Sequence, residues 1–337
     1  MEHEVQVFNM RDFFHAFKPE TAEIPFPGYW VGTVTGRAAM LPVLTHLRNK
    51  GTLASKNSQV LVPKWLCNSF MQMMRKHCSP TLDPEQPIRA ALVYHQYGFP
   101  QNMDEIMDYC DRKKIVVIED CANLFEGDYK GKRLGTIGYA GIFSLSKVFP
   151  SIWGGGLSTA DEELYLHALK TQNDSHSSFV SGLLHMTRYL SDRRRERPSK
   201  NIQMWTEMAY GPAENALKMS AISKKIILRQ LREGQLEKRK RNYRFLLKQF
   251  ESKSYFSGLE REGVCPYVAP LFASEDRLKK ISESLRANGF DSGVYSFDVN
   301  RNVFNPKFVR CAWVPIHQGL SLEQMGRISE IIGQSGD

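Results

Sequence analysis

Lys114 to Ser158 reads KIVVIEDCANLFEGDYKGKRLGTIGYAGIFSLSKVFPSIWGGGLS. Ile115 to Ile118 is a β-branched run without a polar break, the pattern of a strand buried on both faces of a parallel sheet. Glu119 and Asp120 follow at its C-terminal end, where ligands of open α/β sheets bind. A second apolar segment, Ala140 to Leu145, carries Ser144, and Lys147 stands two residues past its end. The glycines Gly154, Gly155 and Gly156 come next. An acid at one strand end and a lysine about one strand later read in two ways. They suit a structural ion pair, or the two fixed points of pyridoxal 5'-phosphate, which needs a carboxylate on its ring nitrogen and a lysine for the Schiff base.

Working outward, the same alternation continues. Val31 to Leu47 reads as a short extended piece, a turn at Thr35-Gly36-Arg37 and an apolar helix. Gln59 to Pro63 reads as a strand, Trp65 to Arg75 as a helix and Ile88 to Val93 as a strand. Asn102 to Arg112 reads as an amphipathic helix with Asn102 or Asp104 as its cap. Strand, helix, strand makes a right-handed parallel crossover the default. Asp161 to Gln172 opens with acids, a favourable helix start. A helix is expected near residues 182–195, and a long helical pattern runs from Asn215 towards Phe250. The C-terminal part reads strand (Tyr267 to Phe272), helix (Glu275 to Ala287), turn (Asn288-Gly289), strand (Phe308 to Trp313) and helix (Leu322 to Ile332). The fold class is α/β, a mainly parallel central sheet flanked by helices plus a small C-terminal α/β domain, with domains at residues 1–230 and 231–337. Residues 1–25 show no period and are expected to form a loose arm.

The chain has 337 residues, enough for one large and one small domain. It carries no run of about 18 apolar residues, so no membrane span is expected, and its N-terminus lacks the apolar core of a signal peptide. The cysteines at 67, 78, 110, 121, 265 and 311 form no Cys-x-x-Cys pair. Zinc sites and disulfide frameworks are therefore not expected, no metal is assigned, and a reducing cytoplasm fits. Cys121 reads as a buried structural thiol rather than a nucleophile. The net charge of +9 gathers partly at Arg193-Arg194-Arg195 with Arg197 and at Lys238-Arg239-Lys240-Arg241. These read as solvated helix ends, or as attraction for anionic substrates such as nucleotide diphosphates. No nucleic-acid motif accompanies them.

Glu119-Asp120-Cys121-Ala122-Asn123, Gly131 to Thr136 and Phe143-Ser144-Leu145-Ser146-Lys147 resemble consecutive blocks of the DegT/DnrJ/EryC1/StrS family, in the family's order. Tyr94-His95-Gln96-Tyr97-Gly98 and Val314-Pro315-Ile316-His317 extend the resemblance over roughly Phe26 to Ile332. It implies a fold-type-I, pyridoxal-phosphate-dependent aminotransferase, acting from glutamate on a keto-sugar nucleotide or related keto compound, and a homodimer. The alternative is a binding regulator or scaffold without turnover.

By the same resemblance Lys147 forms the Schiff base and Asp120 holds the pyridine nitrogen. Ala122 lies against the ring, Asn123 stands near the ring hydroxyl, and Thr35, Gly36, Arg37 and Ser144 hold the phosphate. An anion at a helix N-terminus is sound physics, although Thr35 is equally an ordinary N-cap. The chain also departs from the family. The segment between Ser69 and Ile88 is short, with a strand or substrate loop at stake. The family's Gly-Glu-Gly-Gly lacks its Glu at Gly154 to Gly156. Lys218 replaces an Arg, and Asn215 is out of register. Cys67 falls where an aromatic stacks, and Trp65 is expected to pack in the core. His95 and His317 read as structural.

Overall fold

The computed structural model describes residues 22–151, 153–173 and 216–335. The N-terminal arm up to residue 21, the helix near 182–195, the arginine cluster at 193–197 and Asn215 lie outside the described residues.

The chain enters through strand β1 (Tyr29–Thr33), turns at Thr35 and runs into helix α1 (Gly36–Asn49). β2 (Gln59–Leu61), α2 (Asn68–Arg75) and β3 (Ser79–Thr81) follow. β4 (Ile88–Tyr94), α3 (Met103–Lys113) and β5 (Val116–Cys121) form the expected parallel crossover. A small hairpin, β6 (Asp128–Tyr129) and β7 (Lys132–Arg133), leads to β8 (Ala140–Phe143) and the one-turn helix α4 (Leu145–Val148). β9 (Gly155–Thr159) and α5 (Glu162–Thr171) come next, and a minor parallel pair joins β10 (Gln172–Asn173) to β11 (Ala216–Leu217). α6 (Ala221–Arg232) and α7 (Gln235–Gln249) precede β12 (Val268–Leu271), α8 (Glu275–Ala287), β13 (Gly293–Asp298), β14 (Phe308–Pro315) and α9 (Leu322–Gln334).

The main sheet has seven strands in the order β1-β9-β8-β5-β4-β2-β3. β8, β5, β4, β2 and β3 run parallel, and β9 is antiparallel to both β8 and β1. Side chains of successive strand residues point to opposite faces, and the buried clusters show this residue by residue. Ala90, Leu92, Ile118, Ile142 and Leu157 pack on the face covered by α1, α2 and α5. Ala91, Val93 and Val117 pack on the opposite face with Met103, Ile106 and Cys110 of α3.

A second core belongs to the three-stranded antiparallel sheet β12-β14-β13 and to helices α8 and α9. It includes Tyr243, Leu246 and Leu247 of α7, whereas Leu236 at the start of the same helix packs into the cluster around Phe125, Phe143 and Leu145. Helix α7 thus spans both cores. The second sheet docks through the turn after β4. Gln96 Nε2 donates to the Ser296 carbonyl at 2.7 Å and its Oε1 accepts from Asp298 N at 3.0 Å.

Four expectations about elements need correction. The short segment after Ser69 keeps its strand: β3 survives as three residues at the sheet edge, paired parallel to β2. The helical pattern before Phe250 is two helices, broken at Gly234 in the left-handed region (φ 60). Trp65 is 58 % exposed rather than in the core, because α2 starts only at Asn68 and leaves Trp65 in the preceding turn, 6.1 Å from the Phe308 ring. Asn102 stands at the N-cap of α3 without a side-chain cap bond, and its Oδ1 accepts instead from Tyr129. Strand β13 carried no period that sequence reading caught. It is an edge strand, partly buried, and its alternation is correspondingly weak.

Candidate active site

Strand register brings five chain segments to one edge of the main sheet. Tyr94 at the end of β4 lies beside Asp120 of β5, and Cys121 lies beside Phe143 of β8. Phe143 pairs with Gly156 of β9, and Gly155 pairs with Thr33 of β1. Asp120 to Asn123, Ser144 to Lys147, Gly154-Gly155 and Thr35 to Arg37 therefore gather at the C-terminal ends of the parallel strands, the edge at which α/β folds bind ligands.

Parity then sorts the acids. Asp120 shares the face of Ile118, toward α1, whereas Glu119 shares the face of Val117, toward α3. Ser144 shares the parity of Ile142 and Tyr94 that of Leu92, so both belong with Asp120.

Thr35 caps α1, its Oγ1 accepting from Ala38 N at 3.1 Å. The ordinary cap is thus present, and it leaves the hydroxyl proton for a ligand. The first turn of α1 contains no acidic residue, so no carboxylate of its own offsets the positive dipole end. Arg37 is 9 % exposed, and its Nη1 has no hydrogen-bond partner among the described residues. Two glycines let the loops close up. A Cβ on Gly36 would lie 3.4 Å from Ser144 Cβ, and one on Gly155 only 2.2 Å from the Thr35 carbonyl carbon. Ser144 heads α4 with its hydroxyl uncommitted to capping.

The lysine turn is tied at both ends. Gly154, at φ 150, offers its carbonyl to Leu145 N at 2.8 Å and to Ser146 N at 3.3 Å, and its own N–H donates to Val34 O at 2.9 Å. Lys147 is half-buried, and its charge acts on Asp120. Asp120 is 5 % exposed, with Oδ1 accepting from Ala122 N at 3.0 Å. Burial pushes its carboxyl above the ordinary range, opposed by Lys147, by the Ala122 N–H and by His95. A buried carboxylate held this way gains from a further cationic donor.

These observations fit a phosphorylated ring with a basic nitrogen. The α1 terminus, Thr35, Ser144 and the orphaned Arg37 nitrogen suit a phosphate. Asp120 suits a protonated ring nitrogen, and Lys147 lies within electrostatic reach of it.

Sequence reasoning missed Tyr94. Its hydroxyl donates to Oδ1 of the buried Asn123. The signal was available in parity: Tyr94 is the last residue of a buried strand and stands on the Asp120 face. Glu119 and His95 play a different part. Both are fully buried. His95 Nδ1 accepts from Gln101 N at 3.1 Å, so Nε2 carries the proton and donates to Glu119 Oε2 at 3.0 Å. Glu119 also accepts from Gly135 N at 2.8 Å and from Ile137 N and Gly138 N, each at 2.7 Å. His95, Glu119 and Cys121 offer donor atoms within 4.8 Å of one another, yet the Glu119 oxygens and both His95 nitrogens are engaged in this knot. Burial, then Glu119 and Asp120, push the Cys121 thiol well above its usual range, so it stays protonated and packs.

In the cluster Lys238 to Arg241, Lys238 and Arg241 are exposed as a solvated patch would be, whereas Arg239 faces inward and is wholly buried. His317 is a buried loop residue whose Nδ1 accepts from Gly319 N at 3.2 Å. Among the described residues no helix is long and apolar enough to cross a membrane.

Comparison with known proteins gives the family and the fold. A putative L-glutamine:3-amino-2,3-dideoxy-scyllo-inosose aminotransferase of Micromonospora echinospora is 40 % identical over 83 residues, 24 % of this chain and 20 % of that protein. The GDP-perosamine synthase of Escherichia coli O157:H7 is 38 % identical over 89 residues, 25 % of this chain and 24 % of the relative. The chain thus matches about a quarter or less of the length of these curated relatives. Solved structures match over much more. Helicobacter pylori PseC, an aminotransferase involved in the biosynthesis of pseudoaminic acid, superposes with a TM-score of 0.64 at 16 % identity, covering 91 % of this chain and 86 % of that one. A DegT DnrJ EryC1 StrS aminotransferase from Brucella abortus gives 0.62 at 17 %, with the same coverage. Those likenesses establish the fold, that of the fold-type-I pyridoxal-phosphate aminotransferases. The family model for the DegT/DnrJ/EryC1/StrS aminotransferase family matches residues 79–332, which include Asp120, Asn123, Ser144 and Lys147, and this chain belongs to that family.

Proposed function

We propose that this chain is a pyridoxal-phosphate-dependent aminotransferase that moves an amino group from glutamate, or from its amide glutamine, to a keto-sugar nucleotide or a related keto compound. The observation that carries the reading is the meeting, at one sheet edge, of a buried Asp120, the Lys147 turn and the anion-ready start of α1.

The bound cofactor supplies an electron sink for the carbon that loses its proton. The chain's own residues do the rest. Thr35, the Gly36 and Arg37 amides, the Arg37 side chain and Ser144 hold the phosphate. Asp120 keeps the ring nitrogen protonated through a charge-assisted hydrogen bond. Ala122, with no bulk beyond Cβ, lets the ring approach. Asn123 would offer Nδ2 to the ring hydroxyl, because Tyr94 occupies Oδ1. Lys147 Nζ would hold the cofactor and, when free, would be the amine that takes up and returns a proton.

We divide the chain into domains at 1–230 and 231–337, with α7 shared between the two cores, and we place the active unit as a homodimer, the commonest closed assembly. Sedimentation at assay concentration tests the dimer, and a fully active monomer refutes it. Five buried free cysteines and one exposed suit a reducing cytoplasm.

The test offers the purified chain pyridoxal phosphate, then glutamate or glutamine, against keto-sugar nucleotides and keto cyclitols of the scyllo-inosose type. Acceptors are first ranked by thermal stabilisation, which follows mass action. Amino transfer to one acceptor is the expected outcome. Cofactor binding without transfer from either donor would leave a binding protein rather than an enzyme.

A further inference from the structure

Arg239 is fully buried, at 0 % exposure, with no carboxylate hydrogen-bonded to it among the described residues. A guanidinium cannot shed its charge at ordinary pH, and burying an unpaired charge is expensive. An apolar side chain would fill the space at less cost, so the positions of its hydrogen bonds matter. Nε donates to Gln318 Oε1 at 2.9 Å, and Nη2 donates to the Val148 carbonyl at 3.1 Å. Gln318 Nε2 donates to that same carbonyl at 2.8 Å. Nη1 has no partner among the described residues.

Val148 is the last residue of α4, one place after Lys147. The final carbonyls of a helix have no partner within it. Here one of them is gripped from outside by two donors, one charged. Both donors come from beyond the main sheet. Arg239 sits on α7 between Leu236, which packs in the first core, and Tyr243, which packs in the second. Gln318 lies in the loop after β14. One turn further along α7, the buried Asn242 donates from Nδ2 to the carbonyls of His317 at 3.1 Å and Leu320 at 3.3 Å, fixing the loop that carries Gln318.

We propose that Arg239 and Gln318 are positioning residues: together they clamp the Val148 carbonyl, set the direction in which the α4 turn presents Lys147, and tie that direction to the second core. The proposal rests on the reading of Lys147 as the cofactor lysine.

Two ligands separate positioning from mere structural support. Pyridoxamine 5'-phosphate has the ring and phosphate but no aldehyde, so it binds without Lys147. With pyridoxal 5'-phosphate, Lys147 Nζ adds to the aldehyde carbon and water leaves. Borohydride then delivers hydride to that carbon, the nitrogen takes a proton from water, and the added mass stays on the Lys147 peptide. Affinity for each ligand is read by tryptophan quenching on the full chain, and the rate of labelling by peptide mass. In Arg239→Met, pyridoxamine phosphate affinity should stay within about twofold while bond formation slows by about 10²-fold, the size expected of a misplaced reacting group. Gln318→Leu, which leaves one of the two donors, should slow it by about tenfold. Equal weakening of both ligands, or no change in labelling, overturns the clamp. If Arg239→Met shows no cooperative melt, Gln318→Leu decides by the same criteria. A wild-type chain that binds neither ligand refutes the cofactor reading and the clamp with it, whereas normal binding with unchanged labelling in the variants refutes the clamp alone.

Discussion

Glu119 and Asp120 are consecutive acids on one buried strand, and the protein treats them in opposite ways. Glu119 accepts from three backbone N–H groups and from His95, closing the 135–138 turn against the end of β5. Among the described residues Asp120 accepts from Ala122 and otherwise feels the electrostatic influence of Lys147 and His95. A buried acid with its lone pairs satisfied has no capacity left for a ligand. A buried acid kept short of partners costs stability and keeps that capacity. On the proposed reading, the comparison separates a structural acid from a functional one without appeal to their chemistry, which is the same. Four substitutions bear on it, taken from the largest expected effect to the smallest.

Lys147→Ala removes the cation that acts most strongly on Asp120. It should abolish amino transfer and the borohydride-fixed adduct while leaving the melting curve cooperative. An adduct that persisted in this variant would place the cofactor on another lysine.

Asp120→Asn should cut transfer by orders of magnitude yet still allow the cofactor to bind. Its effect on the ligand-free protein runs the other way, and the sign follows from linkage. Burial raises the Asp120 carboxyl above its unfolded value, so the folded chain binds that proton more tightly. The stability this confers is complete below the ordinary carboxylate range and is lost as pH rises through the folded-state value. Asparagine has no such proton to lose. Denaturant midpoints should therefore diverge with rising pH, with Asp120→Asn the more stable ligand-free protein at neutral pH. Parallel midpoints across that range would mean that Asp120 is solvated or paired.

Glu119→Ala probes the other half of the comparison. It strips a partner from three buried N–H groups and a buried histidine at once. A loss of about 3–5 kcal/mol is expected, the scale for breaking a buried charged network. Soluble, folded protein of near-native stability would show that the knot is dispensable and that saturation does not mark structure here.

Much of this was legible before any coordinates. The unbroken run Ile115 to Ile118 fixes a doubly buried strand, and once it is a strand, alternation alone sends Glu119 and Asp120 to opposite faces. The blocks around Asp120 and Lys147 carry family spacing, so the candidate site residues could be proposed together. What stayed hidden depends on distances between segments far apart in sequence. Nothing local says that Arg239 turns inward, because Lys238 to Arg241 has the composition of a solvated helix face. Its partners, Val148 and Gln318, lie 91 and 79 positions away. Trp65 misled for the reverse reason, since a large apolar residue is normally core, and here a late helix start leaves it outside. The strand β13 was missed because an edge strand with one partly exposed face has little pattern to read.

The smallest effect is expected at Tyr94, and it tests whether the functional half of the comparison extends beyond charged groups. Tyr94 lies beside Asp120 in the ladder and on its face, and its hydroxyl donates to Asn123 Oδ1. An amide has two ends, one accepting and one donating. Occupying Oδ1 fixes which end the rest of the site meets: the Nδ2 donor. Tyr94→Phe removes that constraint and little volume. The amide is then free to present its oxygen, which cannot donate to the ring hydroxyl's oxygen. One hydrogen bond of this kind is worth about 0.5–1.5 kcal/mol, so pyridoxal phosphate affinity should fall by about two- to tenfold with no change in melting temperature beyond a few degrees. The double variant decides between orientation and packing. If Tyr94 acts through the amide, adding Tyr94→Phe to Asn123→Ala should cost nothing further, because the group being oriented is already gone. Additive losses would instead make Tyr94 a separate contact, and the unsatisfied region of the site would then be confined to Asp120, Lys147 and the start of α1.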